Sequence, residues 1–439
     1  MTTPKVGAAV SRRRFLLSSG AALALPHLIT GCAMTRKLPS QQITLGVVGC
    51  GGQGNNDAKS FLDQPDCRVV AACDVDKNHL NDLVGTVNDR YKNKDCKAYH
   101  DFRELMARPD IDAVLLAVPD HWHGLVAVEA ARRKKDIYGE KPLARTIAEQ
   151  QAIVDAVRRH GRIWQTGSWQ RSENNFHKAA EIVRNGLIGK VTRVEVGLPA
   201  GMGNVKDNEQ FMMPTAPPSA LDYNTWIGPS QMMLYVRARI HNNWRWNYNT
   251  GGGQLLDWVG HHCDIAHWGL GFDNSGPSEI EGKGEFPPRD AVWNTCTKYR
   301  IDLKYPDDIA MTIAGGHDDI RAGTKWIGSE GWVWVDRGHF EASNEEWRDI
   351  KLLPDNQRKI KLIISHNHYR NFLDSVKSRQ PTITPAETAH HSAIPGHLGL
   401  ISMLVGRKIK WDVEREVILN DPEASELLTR PFRPPWSFG

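Results

Sequence analysis

The 439-residue chain predicts an α/β fold in two parts. The N-terminal part is a doubly wound parallel sheet; the C-terminal part is an α+β domain with an open, largely antiparallel sheet. Three observations predict this. A glycine-rich turn near residue 50 joins an apolar strand to a helix, and strand and helix signals then alternate to about residue 170. Beyond residue 175 strand signals follow one another with few helices between them. The length exceeds one hydrophobic core and suits two domains.

Ile43–Val48 is the first predicted strand, and it runs into Gly49-Cys50-Gly51-Gly52-Gln53-Gly54. A helix follows, then the strand Arg68–Cys73 closed by Asp74. Strand, G-x-G-x-x-G turn, helix, strand and terminal acid make one βαβ unit of the Rossmann type. The leading glycines permit the tight turn and close approach to a pyrophosphate, which then caps the helix. Asp74 stands about 20 residues beyond Gly54, where a carboxylate can accept both ribose hydroxyls. A bound dinucleotide follows, and NAD rather than NADP: Asp74 repels a 2′-phosphate, and Asp76 adds a second acid before Lys77.

Ile111–Val118 reads as a buried parallel strand ending at Pro119, with a helix over Leu125–Arg133 and a short strand over Asp136–Gly139. A helix around Thr146–His160 and the strand Arg162–Thr166 complete a domain placed at 43–170. The C-terminal substrate and oligomerisation domain takes 171–439, with strands over Lys190–Leu198, Cys296–Tyr305, Asp308–Ala314 and Trp326–Val335. Residues 200–250 read as loop, and Pro431–Gly439 as an extended arm packed on the body.

Residues 1–32 read as a leader. Ser-Arg-Arg-Arg-Phe-Leu-Leu, an apolar run and Leu28-Ile29-Thr30-Gly31-Cys32 resemble a twin-arginine signal ending in a lipoprotein box, with Arg12 and Arg13 as the pair. The apolar run is too short and interrupted to span a membrane by itself. The expectation is export to the periplasm, acylation at Cys32 as the sole membrane contact, and a polar tether over 33–42. A disordered basic N-terminus is the plainer alternative.

Hydrophobic content of 40% and charged content of 24% describe an ordinary globular chain. A formal charge of +4 with no basic stripe excludes nucleic acid as the expected partner. A homo-oligomer is expected. Besides Cys32 there are six cysteines and no C-x-x-C pair; a twin-arginine substrate folds in the reducing cytoplasm, so no structural disulfide is expected.

Ligands of a doubly wound sheet gather at the carboxyl ends of its strands. Pro119-Asp120-His121-Trp122-His123, Glu140-Lys141-Pro142 and the segment Gln165–Arg171, with Trp169, Gln170 and Arg171, all fall there. Farther on comes Gly252-Gly253-Gln254-Leu255-Leu256-Asp257-Trp258-Val259-Gly260-His261-His262-Cys263-Asp264. With these segments the chain resembles the Gfo/Idh/MocA oxidoreductases over essentially its whole length beyond the leader. Glu-Lys-Pro is that family's most recognisable mark, and 257–264 is similar to its D-x-x-x-H-x-x-D helix, with Asp264 as the second acid. The resemblance implies NAD held by the glycine loop (Gly49, Gly51, Gly52, Gln53, Gly54), Asp74, residues 119–123, Glu140, Lys141 and Gln170. It implies Lys141, Asp257 and His261 as catalytic, and Trp169, Arg171, Trp244, Arg245 and His262 beside the substrate.

Positions 257, 261 and 264 share one helical face, which Trp268 continues. A histidine beside a carboxylate is oriented and made more basic, as removal of a hydroxyl proton requires. Lys141 would stabilise the developing alkoxide while hydride leaves the same carbon. The plainer readings are a core histidine for His261 and a surface ion pair with Glu140 for Lys141. His262, Asp264 and His267 lack a compact cluster with a fourth donor, so no metal is assigned. His390, His391 and His397 lie on a C-terminal helix and are expected to be structural or solvent-facing.

Fifteen tryptophans supply the substrate clue. Trp122, Trp169, Trp226, Trp244, Trp246, Trp258 and Trp268 fall in or near the cleft segments. Indole faces pack against the C–H faces of pyranose rings, and the group favours a carbohydrate, although core packing competes for each, Trp268 first. The leading reading is a sugar or glycoside dehydrogenase. An NAD-dependent glycosidase or lyase that oxidises the sugar transiently is the rival: Trp122-His123 before Gly-Leu-Val-Ala-Val is similar to the cofactor loop of such enzymes, whereas Lys141 departs from their pattern. A non-catalytic, NAD-retaining sugar-binding protein is the third.

Overall fold

The computed structural model describes residues 42–203, 209–349 and 353–439. The leader, Cys32 and nearly all of the tether expected at 33–42 lie outside them.

Six strands form the first sheet: β1 (Ile43–Val48), β2 (Cys67–Cys73), β3 (Lys97–Tyr99), β4 (Ala113–Leu116), β5 (Asp136–Gly139) and β6 (Trp164–Thr166). Their order is β3-β2-β1-β4-β5-β6, and every pairing is parallel. The chain reverses its direction of winding between β1 and β4, which opens a crevice at the carboxyl ends of these strands. Helices cover both faces, so β4 and β5 are buried along their whole length, as a parallel sheet requires. Leu45, Val47, Phe61 and Tyr138 fill one core; Val48, Leu116, Ile137 and Trp164 fill the other.

Nine strands make the second sheet: β7 (Val191–Leu198), β8 (Glu279–Glu285), β9 (Lys298–Lys304), β10 (Ala310–Gly315), β11 (Gly323–Gly328), β12 (Gly331–Asp336), β13 (His339–Ala342), β14 (Ile409–Asp412) and β15 (Val417–Ile418). The order is β13-β12-β11-β7-β10-β9-β8-β14-β15. Among the described pairings only β7 with β10 is parallel. Two expected strands start later than expected, β9 at Lys298 and β10 at Ala310; ahead of β10, Asp307 and Asp308 turn the chain with φ of 60° and 59°. The single strand expected over Trp326–Val335 is a hairpin: Gly328 pairs with Gly331 across Ser329-Glu330. The apolar alternation continues on both sides of that turn, which hides it from pattern reading.

The helix Gly253–Leu270 packs on this sheet, where Trp326 donates from Nε1 to the Ala266 carbonyl at 3.2 Å. A second helix, Ala386–Val405, lies beside it, and Gly396 makes the approach possible: a Cβ there would stand 2.9 Å from Val259. On that helix His390 and His397 are buried rather than solvent-facing. His390 lies 2.8 Å from Gln150 Oε1 and 2.9 Å from Glu416 Oε1. No helix among the described residues is long and apolar enough to cross a membrane.

The arm lies where the first domain meets the short helix Tyr223–Ile227 and the turn after it. Arg430 donates to Glu149 at 2.7 Å and to the His121 carbonyl at 2.7 Å. Arg433 donates to the Gly228 carbonyl at 2.8 Å, and Trp436 packs edge-on against Trp122 with centroids 4.7 Å apart.

Candidate active site

A cavity of about 580 Å³ opens at the carboxyl ends of β1, β2 and β4. Its phosphate end is the glycine loop. Gly49 has φ +91°, and a Cβ on it would meet the Ala117 carbonyl oxygen at 2.5 Å; a Cβ on Gly54 would meet the Gly49 carbonyl oxygen at 1.9 Å. Both glycines serve close backbone approach. Gly52 has nothing within 4 Å of an added Cβ, and Gly51 only the His79 ring at 3.7 Å, so the loop presents open space ahead of the helix Gly52–Leu62. A pyrophosphate fits such a cradle. Gln53 lines it too, donating to Asp57 at 2.9 Å.

Asp74 closes the ribose end. Its carboxylate accepts from Cys50 N at 2.7 Å and Asp76 N at 2.8 Å, which orients it into the cavity. Burial raises its pKa, against those two backbone hydrogen bonds. Asp76, His79 and His241 line the same end and lie close enough together to share an ion. Asp74→Ala is expected to bring NADP binding to within about tenfold of NAD by removing the repulsion of a 2′-phosphate. Titrating the emptied protein with both nucleotides checks this; an unchanged preference would place the discrimination elsewhere.

Lys141 and Arg245 line the cavity as well, and Asp257 and His261 lie behind them on the helix Gly253–Leu270. Lys141 Nζ donates to Asp257 Oδ1 at 2.8 Å, and Arg245 Nε donates to the same oxygen at 3.0 Å. Burial alone would raise the Asp257 carboxyl, but the two adjoining cations hold it well below the usual range. Gly260 lets Lys141 lie against the helix, since an added Cβ would stand 3.2 Å from Lys141 Cβ. His261 is one turn on from Asp257 and buried. Burial first, then the charges of Lys141 and Arg337, depresses its pKa, so the imidazole is neutral. The expected Asp257–His261 pair is not made: Asp257 Oδ1 accepts from Lys141 and Arg245, and His261 Nδ1 has no partner.

The other expected contacts divide. Pro119, Trp122, His123, Glu140, Trp244 and Arg245 line the cavity. His123 is fixed between the Pro142 and Val118 carbonyls at 2.7 and 2.8 Å. His121 is turned away from the cavity, with its nitrogens at the Trp226 and Thr250 carbonyls. Asp120 and Gln170 are buried beneath the wall; Asp120 Oδ1 and both amide atoms of Gln170 lack partners.

Two substrate assignments, Arg171 and His262, need correction. Arg171 is 2% exposed and consumed by Asp264, at 2.7 and 2.8 Å, and Asp273, at 2.7 Å. It locks the helix Gly253–Leu270 to its surroundings, with Asp264 as the structural partner. His262 stacks on Trp258 and lies 3.4 Å from Asp336, buried within the domain. Of the tryptophans, Trp122, Trp226 and Trp244 line the cavity although largely buried, Trp246 and Trp268 are buried and do not line it, and Trp169 and Trp258 are half-buried, with Trp258 5.5 Å from the His261 ring. Phe102, Arg103, Asp222, Asn242 and Trp436 also line the cavity and were not expected; no local motif marks them.

Burial raises the Asp120 carboxyl to about 7, helped by the charge of Asp257. A raised folded-state value means the native protein holds this proton after the unfolded chain has lost it. Stability is therefore expected to fall as pH rises from about 4 to 7, by up to about 1.4 kcal/mol per pH unit from this group. Denaturant titrations of the nucleotide-free protein check it: Asp120→Asn should flatten the decline, and an unchanged slope would rule this group out.

The family is established by two matches. Residues 43–168 match the model of the oxidoreductase family NAD-binding Rossmann fold, and residues 172–438 match that family's C-terminal alpha/beta domain. The chain belongs to the Gfo/Idh/MocA oxidoreductase family, and its cofactor is NAD. It is 31% identical to the myo-inositol 2-dehydrogenase of Thermotoga maritima over 146 residues, 33% of this chain and 42% of that one. It is 29% identical to a glycosyl hydrolase family 109 protein of Saccharopolyspora erythraea over 157 residues, 34% of each. The aligned stretch thus spans less than half of either relative. The fold is shared with the aldose-aldose oxidoreductase of Caulobacter crescentus complexed with glycerol, at TM-score 0.61 and 17% identity over 84% of this chain and 99% of that one.

Proposed function

We propose that this protein oxidises a hydroxyl of a sugar or glycoside, passing hydride to a tightly held NAD. The observation that carries the reading is Lys141, which lines the cavity together with the glycine loop and Asp74, is held by Asp257, and lies near the neutral His261 one turn along the same helix as Asp257. Bound NAD supplies the hydride acceptor. His261 takes up the hydroxyl proton as a general base. Lys141, fixed by Asp257, places an ammonium where negative charge develops on the oxygen. Asp257 serves Lys141 rather than His261, so its part is to position the cation. The names of the inositol dehydrogenase and the aldose-aldose oxidoreductase support a polyol or sugar hydroxyl as the reacting group.

A second reading, transient oxidation during glycoside cleavage, is favoured by the family 109 relative. The two separate on one measurement. Net oxidation consumes an added electron acceptor in stoichiometry with sugar, whereas transient oxidation releases cleaved sugar and consumes none. Failure of every sugar and glycoside tested to change the reduced-nicotinamide absorbance would contradict both. The intact Lys141, Asp257 and His261 set argues against a purely sugar-binding role.

We infer further that the protein is exported already folded by the twin-arginine route and anchored at Cys32. A periplasm without free dinucleotide then requires NAD to be loaded in the cytoplasm and recycled in place, by a second sugar, an acceptor partner or return of the hydride. Replacing Arg12 and Arg13 by lysine should retain the protein in the cytoplasm, and Cys32→Ser should abolish lipid labelling. Export unaffected by the paired replacement would overturn the route.

A further inference from the structure

We propose that Arg337 recognises an anionic group of the substrate beside His261, and that the substrate is a carbohydrate bearing a carboxylate or phosphate; this rests on the sugar-oxidoreductase reading. Arg337 and Gly338 form the turn between β12 and β13. The turn's backbone is fixed from three sides. Asn175 donates from Nδ2 to the Asp336 and His339 carbonyls at 2.6 and 3.1 Å. Asp336 Oδ1 accepts from Arg337 N at 2.7 Å, and His262 Nε2 stands 3.4 Å from the same oxygen.

The side chain is held but not paired. Its guanidinium lies 4.6 Å from the centroid of Trp169 and 4.6 Å from that of Trp258. Among the described residues no carboxylate forms an ion pair with it, and its Nε is buried without a partner. Asp336, Asp257 and Glu173 act on it only through longer-range charge, and burial lowers its pKa against them. Lys141 and Arg245 already share Asp257, so that carboxylate does not neutralise Arg337 as well. The two indoles hold the guanidinium plane in place, which leaves its fork of donors for a ligand.

The position ties this cation to the reaction. The Trp258 ring that Arg337 overlies is 5.5 Å from the His261 ring, and the charge of Arg337 is among those that depress the His261 imidazole. A sugar whose hydroxyl meets His261 therefore carries its neighbouring substituent toward Arg337. A planar guanidinium donor fork matches a carboxylate or phosphate with two parallel hydrogen bonds and suits a neutral hydroxyl less well. Each of these indoles turns a face to the arginine, and Trp258 also stacks on His262.

The test uses the full chain with NAD bound, titrated at fixed ionic strength with D-glucuronate, D-glucose 6-phosphate and D-glucose. Binding is read from tryptophan fluorescence and turnover from reduced-nicotinamide absorbance. One of the anions should bind at least about tenfold more tightly than glucose. Arg337→Gln should remove that advantage, weakening the favoured anion at least about tenfold more than glucose, and Arg337→Lys should restore part of it. Preference for glucuronate assigns a carboxylate, and preference for glucose 6-phosphate a phosphate. Anions that bind no better than glucose, an Arg337→Gln variant that weakens all three equally, or no binding by any of them would overturn the proposal. Reduction of NAD by glucose and anions alike overturns the anion site alone; Arg337-dependent anion binding without reduction of NAD overturns the oxidoreductase reading alone.

Discussion

His261→Ala and Lys141→Ala are each expected to lower turnover by about 10²–10⁴-fold while NAD remains bound. The expectation follows from where the two groups stand. Neither touches the glycine loop or Asp74, so the nucleotide keeps its main contacts. His261 is a buried, neutral imidazole whose Nδ1 has no protein partner, whereas His123, which lines the cavity, is held by two backbone carbonyls. His262 is occupied by Asp336 and Trp258, which makes it a poor substitute. Loss of Lys141 leaves Asp257 with Arg245 as its remaining partner, so the carboxylate stays ionised and the missing ammonium is what turnover reports. Asp257→Asn should cost less than either, because it loosens Lys141 without removing it. Steady-state kinetics alongside nucleotide content after gel filtration decide the matter. Near wild-type turnover in His261→Ala would move the base role elsewhere.

Gly54→Ala is expected to have the largest structural effect in the first domain. Its Cβ would stand 1.9 Å from the Gly49 carbonyl oxygen and 3.2 Å from Ala117 Cβ, and both obstacles belong to the strand-end backbone region that shapes the cradle. Relief requires moving the start of the helix Gly52–Leu62 away from β1 and β4, which costs about 1–3 kcal/mol for overpacking and misplaces the helix N-terminus for a pyrophosphate. Gly52→Ala provides the contrast: nothing lies within 4 Å of its Cβ. It should melt like the parent yet bind NAD more weakly, since the methyl group enters the space a phosphate would use. Thermal unfolding with nucleotide titration separates the two. Equal stability of Gly54→Ala and the parent would contradict this account of the loop.

The parts of the fold legible in the sequence are those fixed by local constraint. A glycine that must approach a carbonyl, an acid that must end a strand and a run of buried parallel-strand residues each carry their reason within a few positions, so the βαβ unit and the cofactor end could be read directly. The chemical wall could be read as a set of residues but not as a set of contacts. Lys141 and Asp257 are 116 positions apart, and nothing in the spacing of Asp257 and His261 says that the carboxylate goes to the lysine. Arg171 looked like a ligand contact because it follows a strand end; Asp264 and Asp273, which absorb it, are about a hundred positions away. The tryptophans divide for a related reason: Trp122, Trp226 and Trp244 line the cavity while Trp246 and Trp268 belong to the core beneath it, and the two have the same indole-rich composition. Arg337 was hidden by the misreading of the hairpin over Trp326–Val335, although Asp336-Arg337-Gly338 bears a turn's composition.

The central claim, that this site moves hydride from a sugar carbon to a nucleotide that stays bound, is tested most directly by isotope transfer. The purified protein, with no NAD added, is mixed with a reactive sugar deuterated at the carbon that bears the oxidised hydroxyl. The nucleotide is then released by denaturation and weighed by mass spectrometry. With the mixture quenched within the first turnover, before the hydride is passed on, the account predicts deuterium in the bound nucleotide, at no more than one equivalent per chain, and none in His261→Ala over the same interval. Recovery of an empty protein, or of a bound nucleotide that stays unlabelled while sugar is consumed, would contradict it.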